Sequence, residues 1–202
     1  DLNYSSVSGR NWYLQTGEDS YGFLHGFEEE WSSSLVLVEN NKVLAAAIFF
    51  PEIGTLYFAD EIAAYKALPF LEDYESDVLL QQMESGKFLL HSQKKEIRGE
   101  ADLENISMAS DITPSRFKNY DNFYSLLLGS AAVPVRSPVE APTAVPLVLE
   151  GHIDSWVTPR VSPWECRASE FIIQQAGGRV ANIGDYKVLA CSAKVASKIA
   201  ML

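Results

Sequence analysis

Positive charge is what this sequence has least to spare. Lysine and arginine number 16 against 27 aspartates and glutamates, a formal net charge of −11. Nucleic-acid backbones and anionic membrane surfaces select for clustered Lys and Arg, so neither is an expected partner. A phosphorylated ligand also sits poorly with this balance unless a metal ion inverts the local field. Cysteine is nearly absent. Cys166 and Cys191 have no metal-ligand spacing and form at most one bridge, so free thiols are expected, in the cytoplasm or another reducing compartment such as an organelle stroma or matrix. Long apolar runs are missing as well, none approaching the roughly 18 residues a membrane span needs. The first residue is Asp1, not Met, and no signal-like segment stands at the start, so the expectation is a chain processed or trimmed there. His91 and His152 have no partners at zinc spacing, and the sequence shows no Ser-His-Asp pattern, phosphate-binding glycine loop or internal repeat.

What is present is an ordinary globular composition: 202 residues, 47% hydrophobic and 21% charged. That predicts one compact domain with a core of useful size, in two lobes of approximately residues 1–110 and 111–202. Residues 1–11 read as a loop or a short edge strand. Runs 32–39 and 42–50 around Asn40-Asn41, and 55–59 after Pro51 and Gly54, predict an antiparallel meander. Further on, the spacing of Val78, Leu79 and Met83 predicts a helix over 75–85, followed by a strand at 87–91 and a charged surface connection over 94–105. A short helix at 121–128, strands at 131–136 and 188–191, and an amphipathic helix at 193–202 complete the reading. Strands first and alternation later point to an α+β or layered α/β protein, with helices packed on a mixed sheet.

Residues 163–180, PWECRASEFIIQQAGGRV, organise the rest. Ala168, Phe171, Ile172 and Ala176 form an apolar stripe on one helix face, and Gly177 and Gly178 close the helix. Pro163-Trp164, an acidic residue, a helix and Ala176-Gly177-Gly178 resemble the second signature of the inositol monophosphatase family, in which Pro-Trp-Asp, Ala-Ala-Gly and Ala-Gly-Gly follow one another. Upstream, GHIDSWV at 151–157 resembles the strand that precedes it. WYLQTGEDSYGFLHGF, from Trp12, is similar to the first signature: Trp-x-Ile, then Asp-Pro-Leu-Asp-Gly-Thr and, one residue later, Asn-Phe-x-His-Gly. Trp12 falls on the tryptophan, Leu14 on the isoleucine, and His25 on a histidine whose ordinary role is structural. The resemblance runs from Trp12 to the C-terminus, shortened after Arg179, and implies the layered αβαβα sugar-phosphatase fold, N-terminally truncated. It lacks the family's first third, with its helix pair and Glu-Glu motif. It also places a helix at 139–149 in spite of Pro142 and Pro146, each of which removes a helical hydrogen bond.

Enzymes of that family hydrolyse phosphate monoesters with magnesium, which takes hard oxygen ligands in near-octahedral geometry. The resemblance carries the first metal aspartate onto Gln15, the second onto Glu18, and the Pro-Trp-Asp aspartate onto Glu165. Thr16 takes the proline, Gly17 the leucine, Asp19 the glycine and Ser20 the threonine. Gln15 gives up a unit of charge, while Glu18 and Glu165 each add a methylene. Asp19 stands where a glycine would let backbone N–H groups approach a phosphate, and its carboxylate repels that phosphate. Ser20 keeps the hydroxyl, the one mild change at a catalytic and phosphate-binding position. Arg167 replaces a small residue and is expected to supply the missing cation by pairing with a carboxylate, Glu18 rather than Glu165, since positions two apart on a helix do not face each other. The plain alternative is an acidic surface turn without a role.

Two functional readings follow. One is a catalytically degenerate pseudophosphatase retained for binding or assembly, with no cofactor; the other is a magnesium-dependent phosphomonoesterase acting on inositol or sugar phosphates through an altered site. A sheet without its N-terminal cover exposes more apolar surface than soluble monomers usually tolerate. A homo-oligomer or a protein partner over that face is therefore expected.

Overall fold

Asn40 and Asn41 both adopt positive φ, 50° and 64°, the pair of left-handed residues that a two-residue hairpin turn requires. That turn joins β3 (Ser32–Glu39) to β4 (Lys42–Phe50), and the antiparallel series continues through β5 (Thr55–Ala59), β6 (Ala64–Ala67) and β7 (Ser92–Lys95). On the other side, β1 (Leu2–Ser5) and β2 (Arg10–Glu18) complete a seven-stranded sheet in simple sequence order. The computed structural model describes residues 2–5, 9–18, 31–67, 92–97, 104–111, 132–136, 139–159 and 164–201. These belong to two compact units, Asp1–Lys95 and Glu96–Leu202.

In the first unit, alternation along the strands sorts the residues. Val36, Val38, Ala46, Ile48, Phe50, Tyr57 and Ala59 are buried on one face, with the Phe50 and Tyr57 rings edge to face at 6.1 Å. The opposite face carries Leu14, Leu35, Leu37, Phe49 and Phe58, all half-buried, and Trp12, which is 42% exposed.

The second unit contains a five-stranded mixed sheet in the order β11-β12-β10-β8-β9. Its strands are β8 (Ile106–Ser110), β9 (Ala132–Arg136), β10 (Ser155–Pro159), β11 (Arg179–Ile183) and β12 (Tyr186–Ala190). The three helices among the described residues are α1 (Ala141–Leu149), α2 (Arg167–Gln175) and α3 (Ala193–Ile199). Trp156 is wholly buried, and its indole N–H donates to the Val139 carbonyl at 2.6 Å. β9 contains Pro134 and is an edge strand among the described strands, the place where a sheet tolerates proline.

Two sequence expectations need correction. Residues 94–105 are not wholly a surface connection, because Lys94 and Lys95 pair with Tyr65 and Ala64 in β7. β8 also forms where the sequence suggests no element. Its ISMAS sequence is poor in β-branched residues, and burial between two parallel neighbours supplies what propensity does not. The helix expected at 139–149 is α1. Pro142 sits in its first turn, where an N–H is unbonded anyway, and the loss at Pro146 is offset because seven of its nine residues are buried. Expected elements at 75–85, 87–91 and 121–128 lie outside the described residues. Among the described residues no helix is long and apolar enough to cross a membrane.

Candidate functional site

Gly17 decides which way the end of β2 faces. It has φ 69°, and the β2–β3 register shifts there: Gln15 pairs with Ser34, Thr16 with Ser33, and then Glu18 with Ser32. This is a β-bulge around a left-handed glycine. Without the extra residue, strict alternation would put Glu18 on the face of Trp12, Leu14 and Thr16. With it, Glu18 turns to the face of Gln15, directly across from Ser32. Glu18 is 5% exposed, Ser32 0% and Ser34 7%, so a carboxylate and two hydroxyls are buried beside the half-buried Gln15 amide. The Ser32 hydroxyl makes no hydrogen bond among the described residues.

In the second unit two parallel strands end side by side. β8 and β10 run parallel, with Ser155 opposite Met108 and Val157 opposite Ser110, so their carboxyl ends lie together. β9 stands on the far side of β8, whereas β10 leads through α2 to β11 and β12 on the other side. Open α/β sheets bind their ligands outside the carboxyl ends of such strands. Asp111 and Thr158 line up there. The Thr158 hydroxyl donates to the Asp111 carboxylate at 2.5 Å, and both residues are buried. Neither was suggested by the sequence, because without β8 nothing sets Asp111 at a strand end.

α2 begins beside these groups. Glu165 is exposed, and Arg167 lays its guanidinium over the Trp164 ring at 5.0 Å, a cation–π contact. Between them Cys166 is buried, and burial pushes its thiol far above the ordinary value; Lys187 pulls the other way, while Glu170, Asp111 and Glu165 add to the rise. Lys187 itself is ion-paired with Glu170, tying β12 to α2 with side-chain exposures of 12% and 22%.

At the opposite end of the same parallel pair, Asp154 works as a clasp. Its Oδ2 accepts from the Ser107 N–H at 2.8 Å and from the Ser107 hydroxyl at 2.7 Å. Its backbone N–H donates to the Ser107 carbonyl at 3.0 Å, and its carbonyl accepts from the Cys191 N–H at 2.8 Å. The conspicuous aspartate of GHIDSWV is thus a structural group.

Of the sequence candidates, the structure brings Gln15 and Glu18 together in the first unit and sets Glu165 and Arg167 on either side of Cys166 at the start of α2 in the second. Asp19 and Ser20 lie outside the described residues. Magnesium would ask these positions for several anionic oxygens. The β2 end offers one carboxylate, one neutral amide and two hydroxyls, and among the described residues no group of three His, Cys, Asp or Glu side chains could hold a metal ion. The described residues do not fit a magnesium centre.

No family model and no curated protein matches the sequence. Solved structures do match. Mycobacterium tuberculosis SuhB is 18% identical, with a TM-score of 0.69, over 93% of this chain and 69% of that one. The staphylococcal SaIMPase-II with inositol monophosphate bound is 15% identical, with a TM-score of 0.71, over 100% of this chain and 71% of that one. CysQ from Bacteroides thetaiotaomicron, a bacterial member of the inositol monophosphatase family, is 22% identical, with a TM-score of 0.65, over 90% and 70%.

Proposed function

We propose that this chain, whose fold is that of the inositol monophosphatases, is a catalytically degenerate protein of that superfamily, acting by binding or assembly and not by hydrolysis. The observation that carries this reading is Gln15. The bulge at Gly17 aims Gln15 and Glu18 at one face, as a pair of metal-binding carboxylates would need, yet Gln15 brings only a neutral amide oxygen. A carboxylate about 4 Å from a dication contributes a gross attraction on the order of 8 kcal/mol at an effective dielectric of about 20. Lengthening Glu18 and Glu165 by a methylene does not return that charge. When magnesium is bound in this fold it neutralises the phosphate and activates a water. The groups this chain keeps, an amide, a carboxylate and hydroxyls, suit hydrogen bonding to a polar ligand without turnover.

The test is hydrolysis of inositol phosphates, fructose bisphosphate and phosphoadenosine phosphate with and without Mg2+. No metal-stimulated turnover is expected. A rate of ~1 per second or more, an ordinary enzyme rate, that disappears with chelator overturns the proposal. It would establish the second reading, a magnesium-dependent phosphomonoesterase acting on inositol or sugar phosphates. That reading is favoured by the SaIMPase-II structures with inositol monophosphate and with 2'AMP bound.

An assembly role calls for a second copy of the chain or a different protein. Light scattering on the purified chain alone tests the first, with a mass above the 22.4 kDa monomer expected. A monodisperse monomer removes self-assembly and leaves ligand binding or a different subunit.

A further inference from the structure

We draw no further inference here: the strongest candidate, the half-exposed apolar face of the seven-stranded sheet around Trp12, Leu14, Leu35, Leu37, Phe49 and Phe58, carries nothing because nothing in the structure shows what covers it.

Discussion

Replacing Asp154 by alanine should loosen the parallel pair β8 and β10 at the centre of the second unit's sheet. The side chain accepts two hydrogen bonds from Ser107, at 2.8 Å from the N–H and 2.7 Å from the hydroxyl. Bonds to a charged group contribute about 1.5–3 kcal/mol each, and partial burial argues for the lower end. Both end on the same oxygen, so they do not simply add, and Asp154→Ala should cost about 2–3 kcal/mol. Asp154→Asn keeps an acceptor without the charge and should cost about half as much. Ser107→Ala removes the hydroxyl's bond to Oδ2 and the one it accepts from the Asp154 N–H at 3.0 Å, and should cost about 1–2 kcal/mol. Urea unfolding of the single variants and the double variant closes a mutant cycle, with a coupling of at least about 0.5 kcal/mol expected for residues in direct contact. The bond from the Cys191 N–H to the Asp154 carbonyl uses backbone alone and survives every substitution, so the effect belongs to the carboxylate. If Asp154→Ala unfolds within about 0.5 kcal/mol of the parent, the range of neutral surface changes, the clasp contributes nothing and the reasoning is refuted.

Gly178→Ala should destabilise through crowding: a Cβ there would lie 2.7 Å from Ile173 Cγ2, 2.8 Å from the Ala190 carbonyl oxygen and 2.8 Å from Ile97 Cδ1. Because one of these is strand backbone, relief requires β12 to shift, at about 1–3 kcal/mol or more, and the melting temperature should fall by several degrees; an unchanged value means the space is larger than it looks. For Cys166 the sign follows from its raised pKa. Below the ordinary value of 9.0 the thiol is neutral in both folded and unfolded chains and costs nothing. Above it the unfolded thiol ionises while the buried one stays neutral, so stability should fall by up to about 1.4 kcal/mol per pH unit. In a Cys191→Ser background, a thiol reagent should therefore label Cys166 only as fast as the protein opens, and rapid labelling of the native state would show that the thiol is accessible.

The meander was readable because its strands alternate and its turn is spelled Asn-Asn, so sequence and structure agree residue for residue at β3, β4 and β5. The stripe at Ala168, Phe171, Ile172 and Ala176 was readable for the same kind of reason, and all four are buried. α1 followed from the resemblance alone, since its prolines argue locally against a helix that burial then stabilises. β8 could not be read at all, and with it went the pairing of Asp111 with Thr158, which arises from the order of strands in a sheet and has no local signal.

The end of β2 shows most sharply where reading a sequence stops. Positions 12, 14, 16 and 18 alternate evenly, and a period of two assigns Trp12, Leu14, Thr16 and Glu18 to one face, with Gln15 on the other. Such a strand would separate Gln15 from Glu18, and nothing in its hydrophobic pattern would suggest a site. Gly17 removes the separation, because a residue at φ 69° takes up one position without a partner and passes Glu18 to the face of Gln15 and Ser34. A glycine read as the replacement of a family leucine is therefore the residue that assembles the polar cluster. The backbone thus presents a neutral amide and a carboxylate together on one face, an arrangement that only the bulge creates.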